Sequence, residues 1–385
     1  MPAFEMKGGL AAFWDVAGGN SSALHASAAY RRGLKPITLL NTFVDYPGGQ
    51  KENISKALSD PPNPWARPPF FERTVRRNID QRPANGPYVQ DIEIPLLPTS
   101  RAWANPTLRR ASGAADEDAF AKAYARAWAD WYAQPLQWTK ARYPGTPVGI
   151  YGLQPFNRDF WGFVGKTRAQ LDHAHATDMQ FWRLVDPFVD FYTASIYAFY
   201  DRPETVMFFA ANVEENYQRT RQFGNKPVYA YTWLRFHDLN RELGSRELTP
   251  YLVEAMAIVP YFSGARGVVL WGYEPQAKAD GPPPYERLPL FTRSLARVAA
   301  LSDRIGAGRL VIDKPAQEIW NARRPLVRKF ETGPGECVVM AINPWQDDDD
   351  SSNAEVTCGE RAYAVPMRGK HTTLIELRPG GRTEY

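Results

Sequence analysis

Short apolar runs alternate with longer segments of helical periodicity over most of this chain. Each run is rich in Val, Ile, Leu and aromatic residues and is bounded by Gly, Pro or Asn, a pattern typical of buried β-strands. The predicted strands cover residues 8–16, 37–43, 88–94, 147–152, 188–197, 226–233 and 267–273.

The segments between these runs repeat apolar residues at spacings of three and four, which predicts helices. The predicted helices cover residues 22–32, 70–80, 116–143, 167–186, 204–223, 249–262 and 290–305. The helix at 70–80 lies within a Pro-rich passage, residues 46–87, that is expected to run over the surface. Strands that alternate with helices predict an α/β fold, a TIM-like (β/α) barrel of seven or eight strands. The alternative is an open doubly wound sheet, but its usual nucleotide fingerprint is absent from the sequence.

The pattern changes after residue 308. Short runs at 311, 319–320, 326–330, 337–342 and 372–377 read as strands with no helices between them. We therefore expect a barrel domain over residues 1–308 and a small all-β, sandwich-like domain over residues 309–385. Both cysteines, Cys337 and Cys358, lie in this second part, and the sequence is equally consistent with a disulfide and with two separate thiols.

Composition narrows the class of ligand. Hydrophobic residues make up 44% and charged residues 23%, as in ordinary globular proteins, whereas 12 Trp and 19 Tyr are a high count that favours a ring-bearing ligand. A net charge of +4 without a basic tract gives no argument for nucleic acid as a ligand.

No apolar run is long enough to span a membrane, and the first residues lack the charged and apolar regions of a signal peptide. The compartment stays open between the cytoplasm and export of a mature chain.

No cofactor or metal site is predicted. The sequence contains no Gly-rich phosphate loop, nucleophile elbow or dinucleotide fingerprint. His173 and His175 are the only clustered histidines, and no cysteine or acidic residue stands near them at a metal-ligand spacing.

Two carboxylates interrupt the predicted strand at 88–94. Asp91 and Glu93 stand two positions apart, so on a strand their side chains share one face about 6–7 Å apart. An acidic pair in a run fit for burial is costly unless arginines neutralise it or it lies at a wet cleft. The two explanations are about equally good for this motif taken alone.

Aromatic residues favour the cleft. In parallel barrels the reactive groups collect at the carboxyl ends of the strands. Aromatic residues stand at four of these ends: Tyr151, Tyr197, Tyr231, Trp233, Trp271 and Tyr273. An acid within aromatic walls suits a glycosidase, because the walls dock the sugar and raise the pKa of the acid that protonates the glycosidic oxygen.

Five short motifs carry a family resemblance in the same order along residues 8–305. They are Asp91-Ile-Glu93, Gly149-Ile-Tyr-Gly152, Ser195-Ile-Tyr197, Pro227-Val-Tyr-Ala-Tyr231 and Gly267-Val-Val-Leu-Trp271-Gly. On these motifs the chain resembles the hyaluronidase-type glycoside hydrolases, whose barrel is a seven-stranded variant. The chain differs from the animal enzymes of this family, which have disulfides across the barrel, because its own barrel contains no cysteine. The Pro-rich passage and the C-terminal domain are not part of the common family pattern.

The resemblance implies roles for individual residues. Glu93 would be the general acid and then the base that activates water, and Asp91 would stabilise the charged intermediate formed when a substrate N-acetyl group attacks its own anomeric carbon. Tyr197 and Tyr231 would hydrogen-bond the acetamido group and the aspartate, and Trp271 would floor the acetyl pocket. Further substrate contacts are expected from Tyr151, Trp233, Tyr273 and Glu274. The implied partner is a polysaccharide or oligosaccharide with 2-acetamido sugars, and hyaluronan, chondroitin, chitin-like chains and bacterial exopolysaccharides all stay open.

Three alternatives remain. Glu274 could be a nucleophile in a retaining glycosidase, with Glu93 as the acid about 5–5.5 Å away, acting on a neutral or other glycan. The barrel could also bind sugar without cleaving it. A Schiff-base lyase ranks last, since Lys226 stands at the amino end of its strand. The sequence leaves the oligomeric state open.

Overall fold

A computed structural model describes residues 3–17, 22–44, 53–94, 96–152, 159–273 and 285–385. Its first eight strands are parallel, and helices separate consecutive strands except for the second and third. They are β1 (Ala11–Ala17), β2 (Lys35–Pro36), β3 (Thr38–Asn41), β4 (Tyr88–Asp91), β5 (Val148–Tyr151), β6 (Phe191–Ser195), β7 (Val228–Thr232) and β8 (Gly267–Tyr273). Two short 3₁₀ turns, Asp186–Phe188 and Arg221–Phe223, precede β6 and β7.

Thirteen α-helical segments are found in the described part of the chain. They are α1 (Ser22–Arg31), α2 (Ile54–Ala57), α3 (Phe71–Gln81), α4 (Thr99–Ala104), α5 (Pro106–Ser112), α6 (Glu117–Arg142), α7 (Phe160–Phe163), α8 (Arg168–Val185), α9 (Pro203–Thr220), α10 (Pro250–Phe262), α11 (Leu288–Ala300), α12 (Ser302–Ala307) and α13 (Ala316–Asn321).

The parallel strands form a barrel. Their hydrogen-bonded order is β2-β1-β8-β7-β6-β5-β4-β3. β2 pairs with β1 and β3 pairs with β4, and only Ile37 separates β2 from β3. The same piece of chain therefore joins both edges of the sheet, which closes the barrel. The prediction of a TIM-like barrel with seven or eight strands is confirmed.

Local sequence signals place the longer helices. The Asp116 side chain accepts a hydrogen bond from the backbone N–H of Ala119 and caps α6, where it satisfies a donor that the first turn leaves free. Thr167 and Gln170 form a reciprocal capping box at the start of α8. Both helices were predicted to within two residues.

The C-terminal part is antiparallel. Its strands are β9 (Arg309–Val311), β10 (Leu326–Gly333), β11 (Glu336–Ile342), β12 (Ser351–Cys358), β13 (Arg361–Arg368), β14 (Thr373–Arg378) and β15 (Gly381–Glu384). Five of them form one sheet, in the order β15-β14-β11-β10-β9, and β12 pairs with β13. Apolar side chains of β11, β12, β13 and β14 pack between the two sheets, as predicted for a β-sandwich. A disulfide joins Cys337 on β11 to Cys358 on β12.

The five-stranded sheet packs on the barrel. Phe330, Val338 and Met340 belong to the same apolar cluster as the barrel interior and helices α9 and α10. A buried ion pair crosses this contact between Arg328 on β10 and Glu214 on α9, with 2.6 Å between Nη2 and Oε1. The predicted boundary between residues 308 and 309 stays a prediction.

Several local predictions need correction. Residues 319–320 were expected in a strand but lie in α13, which follows Pro315, a residue suited to a helix start. The acidic strand ends at Asp91, so Glu93 lies in the segment after β4 rather than within it. Strands β12, β13 and β15 were not predicted, because few of their side chains are buried. None of the described helices combines the length and the apolar character that a bilayer span requires.

Candidate active site

The two acidic residues, Asp91 and Glu93, lie at the carboxyl end of β4, at the mouth of the barrel. Side chains alternate along this strand: Val89 packs in the cluster that includes the barrel interior, while Tyr88 belongs to the layer between sheet and helices. Gln90 also faces outward, where its amide donates to Thr139 on α6. Asp91 therefore faces the barrel interior, and it is only 8% exposed.

Glu93 lies higher at the mouth and is exposed to solvent. It packs over the end of β5, because a Cβ built on Gly152 would lie 3.1 Å from Glu93 Cγ and 2.6 Å from the carbonyl oxygen of Ile92. Gly152 also has a φ of +80°, a backbone conformation that glycine adopts without strain. A glycine at this position thus lets the segment carrying Glu93 cross the end of β5 closely.

Burial makes both carboxyls weaker acids. The pKa of Asp91 is raised well above its usual value, first by burial and then by the neighbouring charges of Glu93 and Asp15. Partial burial also raises the pKa of the Glu93 carboxyl, even though the residue as a whole is exposed. Among the described residues no ion pair neutralises either group. The explanation in which arginines neutralise the pair is therefore not supported.

Five of the predicted aromatic residues form one continuous cluster beside the acids. Tyr151 contacts Tyr231 edge to face with 5.1 Å between ring centroids, and it lies 6.5 Å from Tyr197. Tyr197 lies 5.4 Å from Trp271 and 6.0 Å from Trp233, and the two tryptophans are 5.1 Å apart. The strand ends thus bring together side chains that come from four different strands.

The hydroxyl and indole groups of this cluster are only partly satisfied. Tyr151 donates to Ser195 Oγ at 2.9 Å, a partner that was predicted only as part of a motif. Within the described residues, Asp91 Oδ1 and Trp233 Nε1 are buried and have no hydrogen-bond partner. Buried polar atoms are usually paired, so an acceptor and a donor at one barrel mouth fit a site that receives a polar ligand.

Sequence reasoning missed a third carboxyl, that of Asp15 on β1. Asp15 is 7% exposed, and its Oδ2 lies 3.5 Å from the hydroxyl oxygen of Tyr231. Burial raises the pKa of Asp15 to about 8, against the smaller opposite effects of Arg82 and Tyr231. The sequence signal that could have identified Asp15 is that it is the one acidic residue in an otherwise apolar first strand.

Two predicted substrate contacts are not described by the structure. The side chain of Tyr273, at the end of β8, and the whole of Glu274 lie outside the described residues. The distance between Glu93 and Glu274 therefore stays untested. Lys226 lies at the opposite end of the barrel, where its Nζ is 2.7 Å from Asp186 Oδ2. Among the described residues, no group of His, Cys, Asp and Glu side chains has the arrangement to hold a metal ion.

Comparison with known proteins gives structural likeness only. No protein-family model matches the chain, and no curated protein matches it. Bee venom hyaluronidase in complex with a hyaluronic acid tetramer is 14% identical, with a TM-score of 0.44 over 68% of this chain and 90% of the other. A monoclinic crystal form of bee venom hyaluronidase, also 14% identical, has a TM-score of 0.45 over 80% of this chain and 99% of the other. BuGH86 in complex with neoagarooctaose is 13% identical, with a TM-score of 0.42 over 94% of this chain and 62% of the other.

A hyaluronidase is thus among the structures found, as the sequence motifs predicted. TM-scores at this level carry no argument about activity. The functional case rests on the side chains at the barrel mouth.

Proposed function

We propose that the protein is a glycoside hydrolase that cleaves a polysaccharide at a 2-acetamido sugar, by a retaining, substrate-assisted mechanism. The observation that carries the proposal is the juxtaposition of Asp91 and Glu93 with the aromatic cluster at the carboxyl ends of the strands. Both carboxyls have a raised pKa, and no cation is paired with either among the described residues. A weak acid beside an aromatic surface is the arrangement that protonates a glycosidic oxygen.

The reaction would proceed in two steps. The acetamido carbonyl oxygen attacks the anomeric carbon while Glu93 gives its proton to the glycosidic oxygen, and the bond to the leaving sugar breaks. The cyclic intermediate carries positive charge near its nitrogen, where the Asp91 carboxylate stabilises it. Glu93 then takes a proton from water, and that water opens the intermediate with the original configuration restored.

The proton must be on Glu93 at the start of this sequence. In the ligand-free protein, burial and the like charge of Glu93 both raise the pKa of Asp91 and so favour a proton on Asp91. A bound sugar would cover Glu93 and bring an amide N–H to Asp91 Oδ1, which would favour charge on Asp91 and the proton on Glu93.

The test is a reducing-end assay against a panel of acetamido and neutral polysaccharides. The wild type is expected to cleave one or more acetamido polymers, and Glu93→Gln is expected to lose about 10²–10⁴ of the rate, the range for a general acid. Glu117→Gln serves as the matched control, since Glu117 is an exposed glutamate in the first turn of α6 and has no part in the proposed site.

The possible results separate the alternatives. Cleavage of neutral glycans only would contradict the substrate-assisted mechanism and favour a protein nucleophile, for which Glu274 is the candidate. Binding without cleavage across the panel would identify a sugar-binding barrel. Equal rates for Glu93→Gln and Glu117→Gln would remove Glu93 from the mechanism.

A further inference from the structure

Asp15 is a buried acid that the proposed reaction leaves without a role. It stands on β1 in register with Trp271 of β8, so it lies in the same layer as the predicted floor of the acetyl pocket. The oxygen-to-oxygen distance of 3.5 Å places the Tyr231 hydroxyl within reach of its carboxyl. An uncharged apolar residue would fill this position at less cost, because a buried carboxyl loses its hydration.

The groups around Asp15 oppose a negative charge more than they favour one. Among the described residues, five titratable or charged groups interact with it electrostatically: Tyr30 on α1, Arg82 after α3, Asp91 on β4, Tyr197 after β6 and Tyr231 on β7. Only Arg82 is a cation, and it makes no hydrogen bond or ion pair with Asp15 in the described part of the chain. Burial outweighs Arg82, so Asp15 holds its proton at neutral pH.

The proton decides which way the Tyr231 hydroxyl points. An ionised Asp15 can only accept, so it takes the hydrogen of the Tyr231 hydroxyl. A protonated Asp15 can donate to the Tyr231 oxygen instead, and the hydroxyl hydrogen of Tyr231 is then free for another acceptor. Tyr231 also interacts electrostatically with Asp91, so its hydroxyl is near both Asp15 and one member of the proposed catalytic pair.

We propose that Asp15 is a positioning residue that keeps its proton at neutral pH, donates a hydrogen bond to the Tyr231 oxygen and so directs the Tyr231 hydroxyl to an oxygen of the bound acetamido group. Ionisation of Asp15 in alkaline solution reverses this hydrogen bond and weakens glycan binding. This inference rests on the proposed function, because it takes the ligand of Tyr231 to be the acetamido sugar.

The first experiment measures binding in an inactive background, which removes the titration of Glu93. Calorimetry follows the binding of a hyaluronan tetrasaccharide and of an N-acetylglucosamine tetrasaccharide to Glu93→Gln from pH 6 to pH 9. With a pKa of about 8, Asp15 is protonated in most molecules at pH 7 and in about a tenth of them at pH 9. Since only the protonated form is competent, the apparent Kd should rise about tenfold between these values.

A second substitution isolates the contribution of Asp15. An asparagine at position 15 cannot ionise and still offers an N–H donor to Tyr231, so Glu93→Gln/Asp15→Asn should bind with nearly constant Kd, within about twofold, over the same range. Glu93→Gln/Tyr231→Phe should bind more weakly at pH 7 and should also lose the pH dependence. Equal pH dependence in Glu93→Gln and Glu93→Gln/Asp15→Asn would overturn the role of Asp15.

An infrared measurement reports the proton without any ligand. The difference spectrum between the wild type and Asp15→Asn at pH 7 should show the loss of a protonated carboxyl band, and loss of a carboxylate band instead would overturn the proposal. Absence of binding to either tetrasaccharide at every pH would overturn this inference, whereas the proposed function is tested separately by cleavage across the polysaccharide panel. Binding with unchanged pH dependence would overturn the role of Asp15 alone.

Discussion

Replacement of Arg328 with Met tests the buried ion pair between the barrel and the C-terminal sheet. Arg328 and Glu214 are each only 2% exposed. The guanidinium donates twice to Glu214 Oε1, at 2.8 and 2.6 Å, and Glu214 Oε2 also accepts from the backbone N–H of Ala316 at 2.7 Å. Arg328→Met keeps much of the side-chain volume but leaves Glu214 buried without its cation.

The expected loss of unfolding free energy is about 3–5 kcal/mol, the usual cost when one partner of a buried pair is removed. For a chain of 385 residues, an unfolding entropy of about 0.8 kcal/mol per kelvin converts a loss of 4 kcal/mol to a decrease in Tm of about 5 °C. Glu214→Gln/Arg328→Met should recover part of the loss, since it removes the stranded charge as well.

The loss should depend on pH. Burial already raises the pKa of Glu214, and Arg328 is the largest influence that lowers it. Without Arg328 the folded-state pKa rises further above the unfolded value, so the protonated carboxyl is tolerated at low pH. Stability of the variant should then decrease as pH rises through the folded-state pKa, which makes Arg328→Met more harmful at pH 8 than at pH 5.

Urea unfolding followed by tryptophan fluorescence and by circular dichroism supplies the measurement. Arg309→Met is the matched control, because Arg309 pairs with Glu331 in the same sheet but is 72% exposed. Its loss should cost no more than about 1 kcal/mol. The reasoning fails if the two arginine variants lose the same free energy, or if the double variant is no more stable than Arg328→Met alone.

Three further predictions concern stability. Gly149→Ala should cost about 1–3 kcal/mol in thermal unfolding, because its Cβ would lie 2.2 Å from Cε2 of Phe191; an unchanged Tm would show that the ring can move aside. Cys337→Ala/Cys358→Ala should cost about 3 kcal/mol by urea unfolding, from the entropy of a loop whose ends are 21 residues apart, and reductant should then have no further effect. The pKa of Asp15 is raised to about 8, so the wild type should lose stability as pH rises from about 4 to 8. The Tm of Asp15→Asn should therefore rise relative to that of the wild type over this range, and a Tm difference that does not change with pH would contradict the buried, protonated state of Asp15.

The barrel could be predicted because its strands are buried on both faces. Continuous apolar runs such as residues 267–273 and 226–233 signal such strands directly, and the amphipathic segments between them signal the helices that cover the sheet. β12 and β13 could not be found in this way, since each contributes few buried side chains. The error at 319–320 has another cause. An apolar run of two residues has no measurable period, so the sequence cannot distinguish a strand from a helix there.

Site residues that stand close together in the sequence, or at the ends of predicted strands, could be identified from the sequence alone. Asp91 and Glu93 stand together in the sequence, and their spacing directed attention to the end of β4. Tyr197 and Tyr231 were found because aromatic residues at strand ends converge in any parallel barrel. The ring contacts among them, at 5–6 Å, follow from that convergence.

Asp15 shows what the sequence does not contain. Tyr231 on β7 pairs with Val269 on β8, and Val269 pairs with Phe13 on β1. Asp15 is two residues beyond Phe13 and therefore on the same face of β1, where the long Tyr231 side chain reaches it. Two successive strand registers, across a sequence separation of 216 residues, are needed to bring the two oxygens within 3.5 Å. A slip of one residue between β8 and β1 would turn Asp15 away from the barrel interior, and a slip between β7 and β8 would turn Tyr231 away. The burial of Asp15 and its contact with Tyr231 are therefore properties of the closed barrel and not of the first strand.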